Sequence, residues 1–362
     1  MIYINATVMN PNNETEFNRS KIYEKLDYEK APEGYACDIP WIVQQQVAAT
    51  NGVHYIDRIG KLKSYPVYEL PVRPVSEGLM LDIGNGWGRW LVAGANKGYI
   101  PVGIDIRLEF CQTARETLKK FNKNGYSLVA DLKDLPFKKE VFDLVWSFSV
   151  IQHTHRERLL SCLGHIQRIL RMDGHTVLEF PNKNGIRNRV GPARIYESEK
   201  NDYNSWCVRY YTVSEYRDIF QDIFNDFSFS THSLLGIGVL KEDLRYVSVK
   251  NKLVCAVSLL GTSLSKVITP LKNIADSIYI KASKKTMEAD AGVVESLKTF
   301  QSLHRKDPSD NLNLWPLLQC PQSGSPLFLS EDRKRLIARD AGIYYPIENS
   351  IPVLISSEAR AV

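Results

Sequence analysis

The residues best suited to chemistry lie in a glycine-rich run in the first half of the chain. The segment LMLDIGNGWGRWL puts Asp82 at the end of an apolar run and follows it with Gly84, Gly86 and Gly88. Alternating glycines let a backbone turn sharply and approach a ligand, and free N–H groups at the start of a following helix can bind a carboxylate. The spacing could also serve only a tight turn. A dinucleotide loop would need glycine at the position of Arg89, so the run favours a nucleoside cofactor other than NAD.

Two further acidic residues follow the next apolar runs along the chain. Asp105 closes VGID, and Asp131 follows SLVA. Ligands of open α/β sheets bind at the carboxyl ends of the parallel strands, so these acids are expected near the glycine run. We expect Asp105 to accept hydrogen bonds from ribose hydroxyls and Asp131 from an adenine amino group, with Ile106 and Leu132 as apolar faces for the ring. The alternative is that both aspartates are cap or loop residues, which their joint placement disfavours.

These motifs, together with later ones, resemble the class I methyltransferases that depend on S-adenosyl-L-methionine (SAM), in particular the type 11-like group. The resemblance covers roughly residues 78–235. The matching pieces are the D-x-G-x-G-x-G at 82–88, the acid at 105, the Ala-Asp pair at 130–131, the LPF at 135–137, the FDLVWSFSVIQH run ending at 153 and the RILRMDGHTVLEFPN run ending at 182. The sequence departs from the family at Asn85, where relatives often carry Cys or Ala.

The resemblance implies SAM as the cofactor. It places Asp82 and the glycines near the methionine portion, Asp105 on the ribose and Asp131 on the adenine. The implied activity is methyl transfer to an oxygen or nitrogen nucleophile of an acceptor, expected to be a small molecule or a saccharide or lipid precursor. The alternatives are an RNA or protein methyltransferase, or a catalytically silent SAM-fold binding or scaffold protein.

The reacting side needs no dedicated catalytic triad. The electrophile of a sulfonium is already activated, so alignment with the nucleophile can supply much of the acceleration. His153 and His155, beyond the fourth predicted strand, are candidates for a base or a positioning group, although His153 could instead only pack beside the cofactor. Candidate substrate contacts follow the fifth predicted strand: Asn182, Arg187, Arg189 and Tyr211. The arginines could equally form a solvated loop, and the tyrosine could belong to the core.

Short apolar runs alternate with helical patterns from residue 78 onward, which predicts repeated βα units. The predicted strands are 79–82, 102–105, 126–129, 144–148, 175–180, 227–231 and 277–282. The predicted helices are 89–97, 109–121 and 156–170, the last ending at a Met-Asp-Gly turn. This pattern predicts an α/β fold with a doubly wound, seven-stranded, mostly parallel Rossmann-like sheet.

The chain divides into four predicted parts. Residues 1–75 form an N-terminal extension that could act as a lid, with a helix near 38–49 capped by Asp38 and with Pro40 in its first turn. Residues 76–298 form the methyltransferase domain, with an insertion at about 236–275. Residues 299–313 are polar and predict a linker. Residues 314–362 predict a small β-rich domain.

That final segment resembles the small zinc-ribbon-like activator subunit of tRNA and release-factor methyltransferases. The resemblance rests on its LLQCP, G-x-P-L and YPIENSIPVLI motifs. Metal-binding members carry four cysteines, whereas this chain keeps only Cys320 and has Ser323, Ala338 and Ala341 at the other positions. A structural zinc site needs about four ligands, so we expect no metal. We expect the segment to dock on the methyltransferase domain of its own chain.

Composition restricts the class of protein further. The six cysteines include no C-x-x-C pair, which disfavours a disulfide framework. No apolar run approaches the roughly 20 residues that span a bilayer, and no secretory signal pattern is seen, so a cytoplasmic location is expected. The net charge of +5 comes from scattered lysines and arginines, which leaves nucleic acid possible as a partner but unsupported.

Overall fold

One mixed sheet of twelve strands runs through the part of the chain that the computed structural model describes, which is residues 31–51, 55, 58–190, 208–236, 240–246, 249–265, 268–284 and 291–362. The strands are β1 (Gly78–Ile83), β2 (Tyr99–Asp105), β3 (Tyr126–Ala130), β4 (Phe142–Ser147), β5 (Leu170–Pro181), β6 (Asp226–Ser233), β7 (Ser277–Ser283), β8 (Phe328–Leu329), β9 (Arg335–Ala338), β10 (Ile343–Glu348), β11 (Ile351–Leu354) and β12 (Arg360–Ala361). Their order is β6-β7-β5-β4-β1-β2-β3-β11-β10-β9-β8, with β12 on β10. The predicted extension falls outside the described residues over 1–30.

Strands β1 to β7 form the predicted central sheet. Strands β1 to β5 are parallel to one another, and β7 lies between β5 and β6 and pairs antiparallel with both. On β1, Leu79 and Leu81 join one hydrophobic cluster while Met80 joins another, so both faces of the strand are buried. Continuous burial of this kind is typical of a parallel sheet with helices on both faces. The prediction of a doubly wound, seven-stranded, mostly parallel sheet is confirmed.

Eight described helices accompany these strands. They are α1 (Trp41–Thr50), α2 (Arg89–Asn96), α3 (Leu108–Lys120), α4 (Arg156–Ile169), α5 (Ile186–Val190), α6 (Val213–Gln221), α7 (Val249–Ser265) and α8 (Ala291–Lys306). Helix α7 lies in the predicted insertion between β6 and β7. The cap expected at Asp38 is not formed, because Pro40 takes the N-cap position of α1 with an extended backbone. None of the described helices is long and apolar enough to cross a membrane.

Two predicted connections differ in the structure. The Met-Asp-Gly turn lies inside β5, because α4 ends at Ile169 and the strand begins at Leu170. Asp173 adopts a positive φ of 59° there, and the pairing of β4 with β5 shifts register nearby. The predicted linker is largely helical, since α8 continues to Lys306. Its Phe300 is fully buried and packs edge-on against Tyr126, so the polar composition concealed an amphipathic helix.

The C-terminal segment is joined to the lateral edge of the central sheet. Strand β11 pairs in parallel with β3, and its Leu354 lies in the same hydrophobic cluster as Leu128 of β3. Next to this pairing, the side-chain amide of Asn311 forms hydrogen bonds with the backbone of β3, as a residue of a neighbouring strand would. Its Oδ1 accepts a hydrogen bond from the Ser127 N–H, and its Nδ2 donates to the Ser127 carbonyl, both at 2.8 Å. The segment therefore packs on the methyltransferase sheet within one chain.

Candidate functional site

The glycine run forms a tight loop between β1 and α2. Gly84, Gly86 and Gly88 all have positive φ, at 75°, 49° and 92°. A Cβ atom on Gly84 would lie 2.3 Å from Val150 Cγ2, and one on Gly88 would lie 2.9 Å from the Ala114 backbone. Only glycine fits both the backbone conformation and the space at these positions. The loop also brings the N-terminus of α2 to the carboxyl end of β1, as an anion-binding turn requires.

Asp82 lies beneath this loop and has no polar partner. The residue is fully buried, and neither carboxylate oxygen has a hydrogen-bond partner among the described residues. Burial raises its pKa to about 8, although nearby Arg89 opposes that shift. Buried polar groups in folded proteins are normally hydrogen-bonded. An unsatisfied carboxyl at a ligand loop therefore fits a cationic ligand group such as an ammonium.

Asp105 ties the glycine loop to the end of β2. Its Oδ2 accepts a hydrogen bond from the Gly86 N–H, and its Oδ1 accepts one from the Arg107 N–H, both at 3.2 Å. Burial raises its pKa to about 6. Each carboxylate oxygen can accept more than one hydrogen bond, so Asp105 can still accept hydrogen bonds from the two hydroxyls of a diol. The adjoining Ile106 is 51% exposed and offers an apolar surface.

Asp131 follows β3 and combines the two roles weighed for it. It caps the short turn Leu132–Asp134, with Oδ1 accepting from the Lys133 N–H at 3.0 Å. Its Oδ2 lies 3.3 Å from Lys133 Nζ, and the side chain stays partly exposed. The cap interpretation is therefore realised, and the carboxylate is still accessible to a ligand. Because β1, β2 and β3 are adjacent and parallel, the sheet brings Asp82, Asp105 and Asp131 to one end.

The predicted histidines lie in the loop after β4, at this same end of the sheet. His153 ends the turn Ile151–His153, and its Nε2 is 3.4 Å from Gln152 Nε2. Its backbone carbonyl accepts a hydrogen bond from the Arg209 guanidinium at 2.6 Å. His155 occupies the N-cap position of α4. Both therefore lie beyond the carboxyl end of β4, which is the strand next to β1, and their role at a cofactor stays a prediction.

Two of the four substrate candidates are buried in the fold. Asn182 is fully buried, with Nδ2 donating to the Ala275 carbonyl at 2.8 Å and Oδ1 accepting from the Asn184 N–H at 3.0 Å. Tyr211 is buried in the main core and packs edge-on against Tyr216. Sequence position alone put them on the correct side of the sheet. Their burial gives both side chains a role in the fold, and a contact with substrate stays a prediction.

The two arginine candidates lie on α5. Arg187 is half-buried, and its backbone N–H donates to Asp276 Oδ1 at 2.8 Å. Arg189 is exposed. Helix α5 ends at Val190, immediately before residues outside the description. The structure therefore places these side chains near the carboxyl end of β5 and leaves their contact with a substrate a prediction.

Arg89 is a central residue of the site that the sequence interpretation used only as a mismatch. Its side chain is buried, and its guanidinium lies 5.0 Å from the ring centre of Phe148 and 5.5 Å from those of Tyr68 and Trp90. Its Nη2 is 3.4 Å from the Thr50 carbonyl at the end of α1. A buried cation in an aromatic box is stabilised by the ring quadrupoles. In the sequence, Trp87 and Trp90, within and just after the glycine run, could have indicated this aromatic environment of Arg89.

A second buried polar group lies beyond β4 and β5. Glu179 accepts hydrogen bonds from Ser149 Oγ at 2.7 Å and from Ser277 Oγ, and burial raises its pKa. His232 packs edge-on against Phe148 and 4.7 Å from the Tyr279 ring centre. Burial, helped by Arg89, lowers the pKa of His232 to about 3, so this imidazole is neutral. In the sequence, this group is indicated only by the acidic Glu179 within the apolar end of β5.

The N-terminal extension covers part of the site. The Thr50 side chain at the end of α1 lies where a Cβ on Gly86 would meet it at 3.4 Å. Asn51 Oδ1 accepts a hydrogen bond from Trp87 Nε1 at 3.0 Å. Deeper in, buried Asp243 of the insertion accepts from the Tyr68 hydroxyl at 2.6 Å. The extension thus contacts the glycine loop through Thr50 and Asn51, and the insertion through Tyr68.

Metal ligands are not clustered in the described part of the chain. No group of three or more His, Cys, Asp or Glu side chains there could hold an ion. Cys320, the one retained cysteine of the C-terminal segment, lies 3.5 Å from the Tyr345 hydroxyl. That segment is held by β pairing and by its shared core.

Comparison with known proteins gives two separate matches along the chain. Residues 80–174 match a family model described as a methyltransferase domain. A UPF0434 protein of Pseudomonas paraeruginosa is 51% identical over 49 residues, which is 14% of this chain and 80% of that protein, and this likeness belongs to the C-terminal segment. An uncharacterized protein of Methanocaldococcus jannaschii is 31% identical over 108 residues, and the match covers only 43% of its length.

Solved structures also resemble the chain. One is phosphoethanolamine N-methyltransferase 2 of Haemonchus contortus in complex with S-adenosyl-L-methionine, at 22% identity and a TM-score of 0.40, covering 59% of this chain and 50% of that one. Another comes from the complex of the Haloferax volcanii Trm112 methyltransferase activator with a candidate methyltransferase, at 19% identity and a TM-score of 0.40, covering 61% and 87%. At these TM-scores the resemblance is too distant to assign a function.

Proposed function

Since this chain belongs to the UPF0434 family through its C-terminal segment and carries a methyltransferase domain, we propose that it is a SAM-dependent methyltransferase. The acceptor is an oxygen or nitrogen nucleophile on a small molecule or on a saccharide or lipid precursor. One observation carries the proposal. Asp82, Asp105 and Asp131 lie at one end of three adjacent strands, around a loop that only glycine can form.

The residues present fit the parts of SAM. The unsatisfied carboxyl of Asp82 suits the ammonium group, and the N–H groups at the start of α2 suit the carboxylate. Asp105 has acceptor capacity for the ribose hydroxyls. Asp131 suits the adenine amino group, with Ile106 and Leu132 beside the ring. When bound, SAM supplies a methyl group on a sulfonium that is already activated for displacement.

The acceptor side is formed by the group beyond β4 and β5. His232 is neutral at physiological pH, so it can hydrogen-bond an acceptor hydroxyl or amine. The rings of Phe148 and Tyr279 pack against it, which excludes water from the nucleophile. The proton released by a neutral nucleophile passes to His153 or His155, which remain the predicted bases. Alignment of the two reactants supplies the rest of the acceleration.

The proposal is tested by following the methyl group. Purified protein is incubated with SAM labelled in the methyl group and with a fractionated cell extract, and SAM binding is measured in parallel by calorimetry. Label in small molecules or in the lipid extract supports the proposed acceptor class. Label in RNA or protein would give the same enzyme a macromolecular acceptor. Failure to bind SAM would reject the enzyme and favour a silent binding or scaffold protein.

A further inference from the structure

Helix α7 carries several large apolar side chains on its solvent side. Leu253, Val257, Leu260 and Leu264 lie on this helix, and Ile268 follows it; their exposed fractions run from 47% to 71%. Spacings of three and four residues place helical side chains on one face, so these residues form a continuous strip. We call this strip the α7 stripe. Scattered exposed apolar residues are ordinary, but a contiguous strip marks an interaction site.

The opposite face of α7 is small and polar, the reverse of an ordinary surface helix. Ser258 Oγ donates a hydrogen bond to the Leu235 carbonyl at 2.7 Å, and Thr262 Oγ1 accepts one from the Leu234 N–H at 3.1 Å. Gly261 allows this approach, because a Cβ there would lie 2.3 Å from Leu234 Cδ2. The helix is therefore fixed to the protein through its polar face. Its leucines are directed outward by the fold itself.

The sequence stretch that contains α7 carries charge of a single sign between the two acids that bound it. Between Asp243 and Asp276 the sequence contains no acidic residue and five basic ones, namely Arg245, Lys250, Lys252, Lys266 and Lys272. Lys252 is exposed directly beside the α7 stripe. This stretch alone carries as much positive charge as the net +5 of the whole chain. A binding surface that complements both the α7 stripe and these basic residues needs negative charges above an apolar layer. An anionic bilayer has this arrangement.

We propose that α7 docks this protein on an anionic lipid surface. The α7 stripe enters the boundary between headgroups and acyl chains, and the exposed Lys252 beside it contacts a lipid phosphate. The helix lies in the interface plane, since α7 has 17 residues and no described helix could cross the membrane. A second copy of the chain is a poorer occupant, because a symmetric contact would set one basic segment against another.

The proposed docking does not depend on the proposed methyl transfer. The docking helix nevertheless lies beside the end of β6, which leads to the proposed acceptor site. Ser233, which ends β6, lies 3.1 Å through its Oγ from Ser258 Oγ of α7. The adjoining His232 is the residue assigned to the acceptor side by the proposed function. A bilayer at the α7 stripe would therefore lie near the part of the protein that receives the acceptor.

The proposal is tested by sedimentation with vesicles. Wild-type protein is expected to sediment with vesicles of phosphatidylcholine and phosphatidylglycerol, and less with phosphatidylcholine alone. The triple variant Leu253→Ser, Leu260→Ser, Leu264→Ser should partition at least about tenfold more weakly, because it loses the buried apolar area. The matched control is Leu160→Ser with Val294→Ser, two exposed apolar residues elsewhere, and it should bind as wild type.

A second variant separates charge from apolar area. Lys250→Glu with Lys252→Glu should lose the preference for anionic vesicles while leaving the α7 stripe intact. Thermal melting verifies that each variant is folded. Absence of vesicle binding by the wild type, or equal binding by the triple variant, would overturn the proposal. So would a dimer that the triple variant abolishes without any lipid binding, or lipid binding that appears only after removal of residues 1–30, since the α7 stripe would then be covered by protein.

Discussion

At the scale of single residues, the three acids at the strand ends differ in environment. Asp82 is fully buried and has no described partner, whereas Asp105 is held by backbone N–H groups. Asp131 is partly exposed and paired with Lys133. A ligand would therefore meet a buried carboxyl, a fixed acceptor and an accessible one. These three environments, from fully buried to partly exposed, match a molecule that is charged at one end and aromatic at the other.

The buried carboxyl of Asp82 predicts a pH dependence of folding stability. The pKa of this group is about 8 in the folded chain, because burial raises it from the usual value of 3.8 for an aspartate. Between pH 4 and 8 the folded state therefore binds a proton that the unfolded state has lost, and the free energy of unfolding falls as pH rises. The loss is up to about 1.4 kcal/mol per pH unit. Urea unfolding of wild type and Asp82→Asn measures it, since the variant should lack this decline. A constant difference between the two across pH 5–8 would contradict the assignment.

Asp105 provides the direct test of the cofactor site. Asp105→Ala should weaken SAM binding by about 1–3 kcal/mol, because it leaves ribose hydroxyls without their acceptor. Calorimetric titration measures the change. Asp340→Ala, at an exposed position of the C-terminal segment, is the control and should bind SAM as wild type does. Unchanged affinity in Asp105→Ala would remove Asp105 from the site.

The site residues divide into those that sequence could predict and those it could not. The strand-end acids were predictable, because parallel strands fix where their carboxyl ends meet. The structural role of Asn182 was not, since its amide bonds to backbone more than 90 residues away in the chain. Glu179 was missed for the same reason, because its partner Ser277 comes from a distant strand. Local pattern carries no information on such pairs.

At the scale of elements, apolar runs located the strands well. Polar composition, however, led to the wrong prediction of a linker where α8 continues. All seven predicted strands of the central sheet are present. The buried parallel strands gave apolar runs, and the edge strand β6 gave an alternating pattern. Helix α8 was hidden because only one of its faces is apolar, with Phe300 and the stacked ring of His304 turned inward. The pairing of β11 with β3 could not be predicted, since register between distant strands has no local signal.

Asn311 predicts how strongly the C-terminal segment is held on β3. Asn311→Ala should lower the free energy of unfolding by about 1–3 kcal/mol, because the N–H and carbonyl of Ser127 lose their buried partner. Chemical denaturation measures this loss. Asn311→Asp should lie between the two, as a carboxylate still accepts from the N–H but cannot donate. Asn124→Ala, at an exposed position before β3, should change little. An equal effect at both positions would argue against this role of Asn311.

At the scale of the whole molecule, the C-terminal segment and the methyltransferase domain share one core. Leu314, Leu317 and Tyr345 lie in the same cluster as Leu128 of β3. Ending the chain at Asn311 would expose this surface and the lateral edge of β3, and exposed edges of this kind aggregate. We expect a lower melting temperature or aggregation of the remaining protein, measured by thermal scanning and light scattering. An unchanged melting curve with full activity would make the segment an independent unit.

Chelation tests the expectation that no metal takes part. The sulfonium of SAM supplies the electrophile, so the proposed chemistry has no step that requires a Lewis acid. Methyl transfer and melting temperature should both survive prolonged treatment with EDTA. Loss of activity that one added metal restores would disprove this expectation. A fall in melting temperature alone would indicate a structural ion.

The parallel pairing of β3 with β11 has a consequence for behaviour on dilution. An assembly of two chains separates when its concentration falls below its dissociation constant, and its melting temperature then depends on how much protein is present. Here the two strands belong to one polypeptide, so their encounter is intramolecular and its effective concentration is set by the connecting residues. The joined sheet should therefore stay complete at any dilution, even when a cell contains only a few copies of the protein.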